Sequence, residues 1–193
     1  METAREDTGA WIAVRPAVPA DGPAFAAIYR PVVRDTAISM EVEPPDDAEM
    51  TRRIATITAR FPWFAAEGDG RVVGYAYASR HRERAGYRWA VDVAAYVAQS
   101  ERGRGVARAL YRVLLPTLCD LGYRRALAGI ALPNAASVAL HRSFSFEDAG
   151  MYRRIGFKLG AWTDVLWLMK DLGDTAEPPG EPRRWIPQAS PSV

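Results

Sequence analysis

Residues Val91 to Leu121 impose more on the fold than any other part of the chain. Val91-Asp92-Val93-Ala94-Ala95-Tyr96-Val97 is an apolar run compatible with a strand and carries one acid. A short polar loop follows, Ala98 to Gly105, with glycines at 103 and 105 and arginines at 102 and 104. Val106, Leu110, Val113, Leu114, Leu118 and Leu121 then recur at helical spacing. A strand therefore feeds a helix through a loop whose backbone can come close to a ligand. Free N–H groups at a helix start, with the helix dipole behind them, favour an anion, and glycine lets a phosphate approach. The same residues also suit a plain connection with a solvated basic face. They are not a P-loop, because no Lys-Ser/Thr pair follows the second glycine. Nor are they a dinucleotide fingerprint, because the three-glycine spacing is missing.

At 193 residues the chain suits one domain with a substantial core. A hydrophobic content of 49% and a charged content of 25% fit an ordinary globular protein. The net charge of +2 argues against a nucleic-acid partner, although arginines outnumber acids between Arg80 and Arg125. That local excess suits a phosphate- or carboxylate-bearing ligand. The single cysteine, Cys119, falls in a helical pattern and reads as a buried, inert thiol. We expect no signal peptide or membrane span, and a cytoplasmic protein.

In chain order, the pattern predicts a polar N-terminus over 1–10, then a strand over 11–15. A helix follows, capped by Asp21, and a second starts at Asp46 or Asp47 and stops before Pro62. Two β-rich runs around Gly68-Asp69-Gly70 predict a hairpin, Trp63–Glu67 with Arg71–Ala78. Pro116 should kink the helix that ends near Leu121. Arg125–Ala131 reads as a strand, Ala135 to Phe144 as a helix, and Met151–Phe157 with Ala161–Met169 as two closing strands. Residues 11–172 make one domain, and 173–193 form a proline-rich flexible tail. Strands and helices do not strictly alternate, which predicts an α/β domain with a mixed sheet.

The spacing Arg102-x-x-Gly105-x-Ala107 resembles the pyrophosphate loop Q/R-x-x-G-x-G/A of the GNAT acyltransferases. Asn134, Ser137 and His141 match that family's N-x-x-S-x-x-x-H pattern, and Gly156-Phe157-Lys158-Leu159-Gly160-Ala161-Trp162-Thr163-Asp164-Val165 its G-F-K-x-G-x-W-x-D-V motif. Residues from about 12 to 172 look like the branch of phosphinothricin and methionine sulfoximine N-acetyltransferases. The resemblance implies a mostly antiparallel mixed sheet, flanked by helices and splayed at its central strands. It also implies an acetyl-CoA-dependent N-acetyltransferase acting on a small amino acid, without a metal, as a homodimer. Its coenzyme would lie on Arg102, Gly103, Arg104, Gly105, Val106, Ala107 and Arg108, with the pantetheine arm along Ala95, Tyr96 and Val97 and against Asn134 and Ser137.

Asp92 is the candidate general base. A lone acid in a buried strand is costly unless solvated, paired or functional, and pairing with an arginine is the structural alternative. The family has Glu here, one methylene longer. His141 stands in the matching position as a proton donor, or a hydrogen-bonding contact, for the departing thiolate. Asn134 equally suits a helix N-cap. The resemblance puts Met40, His81, Arg82, Arg84 and Trp162 on the acceptor side, with His81 and Met40 where the family carries aromatics. Phe144-Ser145-Phe146 lacks the family's glycine, so the left-handed turn that glycine serves must be made by the serine or must differ. A non-catalytic acyl-CoA sensor, or an acetyltransferase for another amine, fits the same motifs.

Overall fold

Asp69 and Gly70 both adopt positive φ, 51° and 73°, and close the expected hairpin with Gly68 opposite Arg71. This is the two-residue turn chemistry that Asp-Gly favours, because its twist matches that of the flanking strands. In the computed structural model, residues 12–173 and 180–187 are described. The elements run β1 (Ala13–Pro16), α1 (Gly22–Asp35), α2 (Asp47–Thr58), β2 (Trp63–Gly68), β3 (Arg71–Arg80) and β4 (Ala90–Val97). They continue with α3 (Val106–Asp120), β5 (Arg125–Ala131), α4 (Ala135–Ser143), β6 (Glu147–Lys158) and β7 (Ala161–Asp171). One seven-stranded sheet has the order β1-β2-β3-β4-β5-β7-β6, and only the β4–β5 pair is parallel.

Period-two alternation in the strands divides the core between the two sheet faces. On one face α3 sets Leu110, Leu114 and Leu118 against Val91, Val93, Ala126, Ala128, Ile130 and Leu168. On the other, α1 and α2 bring Phe25, Val33, Met50 and Ile54 onto Trp63, Ala65 and Tyr75. Phe25 stacks on Tyr75 with ring centroids 4.4 Å apart. Pro116 lies inside α3 without ending it. Asp46 caps α2 by accepting from the Glu49 N–H at 2.7 Å. Asp21 does not cap α1 as expected. Its buried carboxylate takes the Arg15 guanidinium through both oxygens, at 2.7 and 2.8 Å, and the Val18 N–H.

The β4–β5 pairing is short, and this shapes the site. Ala90, Val91 and Asp92 pair with Arg125, Ala126 and Leu127, and there the ladder stops. β4 stays bonded to β3 through Val97, and β5 to β7 through Ala131. The two strands therefore diverge beyond Asp92 with their facing edges unpaired.

Two expectations need revision. β6 begins at Glu147, before the expected Met151, and is exposed along most of its length. Part of the expected flexible tail is docked: Trp185 is buried against Phe64, and its N–H donates to the Arg60 carbonyl. The Trp89 indole donates to the Gly180 carbonyl at 2.8 Å, and Arg88 pairs with Glu181. Proline density misled because Trp185 and a few backbone bonds suffice to hold an extended segment. The expectations for 1–10, and for the remaining tail residues, lie outside the described residues. Removing the Trp185 side chain should therefore cost about 3 kcal/mol, the scale for a buried aromatic. Thermal melts of Trp185→Ala test this, and an unchanged melting temperature would show that the segment is not docked.

Candidate active site

Two residues with positive φ start α3. Gly103 (φ 76°) and Gly105 (φ 82°) sit in the left-handed region, and Gly105 is the N-cap residue without a side-chain cap bond. A Cβ at either would meet nothing within 4 Å, so glycine serves conformation there rather than space. The loop is braced from inside by Glu101. This buried carboxylate accepts from Arg104 at 2.7 Å and from Arg71 at 2.9 Å. The Arg104 side chain is thus committed to the protein, which leaves Arg102 and Arg108 beside the loop. Arg108 lies over the Phe144 ring at 5.7 Å, a cation–π contact that holds its guanidinium at the wall.

This loop, the splayed strands and α4 enclose a cleft of about 460 Å³. Val93 to Val97 form one side and Ala128 to Ala131 the other, with Asn134, Ser137 and His141 along α4. All the expected coenzyme-side positions except Arg104 line it: Ala95, Tyr96, Val97, Arg102, Gly103, Gly105, Val106, Ala107, Arg108, Asn134 and Ser137. Asn134 is also the α4 cap, its Oδ1 accepting from the Ser137 N–H at 3.2 Å. Ser145 makes the left-handed turn after α4 (φ 61°).

Asp92 sits at the last β4–β5 pair, one residue before the cleft lining begins, on the same strand face as Ala94 and Tyr96. Its Oδ1 is 2.7 Å from Nδ1 of His81. Burial pushes the carboxyl up from its ordinary range, and the His81 hydrogen bond and the nearby Arg82 charge partly oppose that. The partner of Asp92 is therefore a histidine, not the arginine considered from sequence. His81 packs edge-on against Trp167 and Tyr87, and Trp167 covers Gly129 of β5. The Trp167 Nε1–H is buried with no partner among the described residues.

His141 reaches the cleft wall but not as a free proton donor. It is 4% exposed, and its Nδ1 lies 2.8 Å from the Ser137 carbonyl. A carbonyl only accepts, so Nδ1 carries the proton and Nε2 accepts from the Tyr111 hydroxyl at 2.9 Å. Both nitrogens are satisfied, and burial lowers the readiness of the ring to take a second proton. Helical spacing could align His141 with Ser137 but could not reveal that Tyr111, thirty residues earlier, holds its other side.

The acceptor-side expectations scatter. Arg82 and Arg84 do not line the cleft. They share a smaller cavity of about 190 Å³ with Arg60, Arg80, Arg88 and Glu181, and Arg82 donates to the His81 carbonyl. Met40 lies on Gly156 of β6, in a loop tied down by Lys158, whose buried ammonium donates to the Val33 and Ser39 carbonyls at 2.6 and 2.7 Å. Trp162 is 62% exposed and packs edge-on with Phe157, away from the cleft lining. Sequence reasoning missed Glu101, Tyr111 and Trp167. Alternation alone could put Trp167 opposite Leu166 and Leu168, but not over Gly129.

A family model described as Acetyltransferase (GNAT) domain matches residues 16–167. A phosphinothricin N-acetyltransferase of Alcaligenes faecalis is 39% identical over 163 residues, 82% of each chain. An L-methionine sulfoximine/L-methionine sulfone acetyltransferase of Pseudomonas aeruginosa is 32% identical, over 86% of this chain and 98% of its own. The crystal structure of a phosphinothricin acetyltransferase from Sinorhizobium meliloti with AcCoA superposes with a TM-score of 0.84 at 38% identity, covering 88% of this chain and 94% of that one.

The His141 geometry carries a pH dependence of stability. Its folded-state pKa lies below the ordinary 6.5, so the unfolded chain binds the proton more readily. The contribution is present above about pH 6.5 and is lost as pH falls through the lower, folded value. Melting temperatures at pH 7.5, 6.5 and 5.5 should decline more steeply in the wild type than in His141→Gln. Equal slopes would refute this.

Proposed function

The chain belongs to the GNAT acetyltransferase family, and from that premise we propose that it transfers the acetyl group of acetyl-CoA to the amine of a small amino acid. Phosphinothricin and methionine sulfoximine or sulfone are the acceptor types acted on by its named relatives. The observation that carries this reading is the cleft, where a left-handed glycine pair opens a helix beside two unpaired strand edges.

The fit to the coenzyme follows from donor chemistry. Backbone N–H groups from Gly103 to Arg108, at the positive end of α3, suit a diphosphate, and Arg102 and Arg108 add charge. An extended amide-containing arm suits the free edge of Ala95–Val97, where it would bond as an added strand, with Asn134 and Ser137 across from it. Acetyl-CoA supplies an acyl group activated as a thioester. The protein has to orient it, exclude water and remove a proton from the incoming amine. The hydrogen-bonded Asp92 and His81, next to the inner end of the cleft, are the titratable groups we assign to the proton. Direct attack by the amine needs no acyl-enzyme, and half-buried Cys119 lies outside the cleft lining. The departing thiolate, with a thiol pKa of about 8.5 for an ordinary cysteine-like sulfur, can leave without an obligatory acid. His141 then serves as a neutral brace rather than a donor.

We further assign a homodimer built through the outer face of β6 and β7. Phe157, Leu159 and Trp162 are exposed together at the β6–β7 hairpin end, with Phe157 edge-on to Trp162, an apolar patch of the kind that marks an interface. No helix among the described residues is long and apolar enough to cross a membrane. The supply of acetyl-CoA and the lone thiol fit a cytoplasmic location.

Release of free thiol from acetyl-CoA should follow addition of phosphinothricin, methionine sulfoximine or methionine sulfone. Turnover only with protein N-termini would overturn the acceptor class. Gly105→Val, forced into the left-handed region, should weaken acetyl-CoA binding by about tenfold, the equivalent of 1–2 kcal/mol of backbone strain, in calorimetry. Sedimentation should give twice the 21.3 kDa chain mass, and Phe157→Glu with Trp162→Glu should yield the single mass.

A further inference from the structure

Asp92 commits one of its two carboxylate oxygens to His81. Its Oδ1 is engaged at 2.7 Å; its side chain is 32% exposed and that of His81 12%. The carboxylate can only accept in that contact, so His81 Nδ1 is the donor and the ring's lone pair sits on Nε2. Nε2 has no partner among the described residues. The ring is clamped edge-on between Trp167 of β7 and Tyr87 of the turn at Ala85–Tyr87, which fixes its plane. The charged and titratable groups around it are Asp92 from β4, Tyr87 from that turn and Arg82 on its own loop, whose charge acts on Asp92. This is a carboxylate orienting an imidazole whose far nitrogen has no partner among the described residues, an arrangement that suits a histidine general base.

We infer that His81 is the catalytic base of this enzyme and that Asp92 is its positioning residue. The inference rests on the acetyl-transfer reading. The acceptor arrives as an ammonium ion. Its first proton passes to His81 Nε2, giving an imidazolium stabilised by Asp92, and from there to solvent. The freed amine lone pair forms the C–N bond to the acetyl carbon as the C–S bond breaks, and the second amine proton ends on the thiolate sulfur. The products are the N-acetyl amino acid, free thiol and one released proton, so atoms and charge balance. Tautomer control explains why a short aspartate suffices here: it needs to reach the histidine, not the substrate.

The decisive variant is His81→Asn. Its side-chain amide can still donate to Asp92 from near the Nδ1 position but offers no second nitrogen to take a proton. With phosphinothricin or methionine sulfoximine, whichever the wild type acetylates faster, and saturating acetyl-CoA, kcat should fall about 100-fold or more while KM holds. Added imidazole should recover part of the rate. His81→Asn combined with Asp92→Asn should be no slower than His81→Asn alone, because the two act as a unit. Calorimetry with acetyl-CoA should give wild-type affinity for every variant. Wild-type kcat in His81→Asn with loss in Asp92→Asn would overturn the inference and make Asp92 the base. A fall in kcat that imidazole does not relieve, with KM rising alongside, would reduce His81 to a packing role. A wild type that binds acetyl-CoA yet acetylates no amine would remove the transfer reading itself, and this inference with it.

Discussion

The organising constraint is a parallel strand pair that gives out after three residues. Backbone N–H and C=O groups need partners wherever water is limited, and most sheets supply them along the whole strand. Here β3 and β7 satisfy the outer edges of β4 and β5, while the inner edges diverge and face a cleft. The opening is held apart by the packing on both sides. α3 fills one face with leucines, and α1 with α2 fills the other with aromatics. An extended ligand rich in amides would complete the hydrogen bonding that the sheet leaves unfinished, which is why the proposed binding mode and the fold share one geometric cause.

Electrostatics refine that opening through one buried carboxylate and a rim of exposed arginines. Buried Glu101 takes Arg104 and Arg71, so the loop before α3 is braced before any anion arrives. The anion-binding character then comes mainly from backbone N–H groups and the helix end, which cost little reorganisation. His141 and Tyr111 brace α4 against α3 as a neutral pair on one side of the cleft. His81 and Asp92 form a charged-capable pair near its inner end. Two histidines in the described chain thus have different duties because their second nitrogens differ. One is covered by a tyrosine, and the other has no partner among the described residues.

Much of this was legible from local signals. The Asp-Gly turn, the glycines before Val106 and the α2 cap at Asp46 are each decided by a few neighbouring residues, so the sequence announces them. Family spacing likewise marked most of the cleft wall. What was not legible depends on register between distant strands. Nothing near residue 81 says that His81 meets Asp92; the antiparallel pairing of β3 with β4, Ser79 opposite Asp92, brings them together. Arg82 and Arg84 looked like substrate ligands because their basic loop precedes Asp92, yet the loop turns them to another cavity. Trp162 sits in a specific motif but at an exposed hairpin end. Trp185 was hidden by proline-rich composition, since one buried aromatic outweighs a poor local propensity.

Amide hydrogen exchange with and without acetyl-CoA addresses the central claim most directly, because it reads the unfinished edges themselves. The account predicts slower exchange on binding at residues 93–97 and 103–108, with little change along β2 and β6. Binding that leaves those amides unprotected, or protects a different face of the sheet, would contradict it.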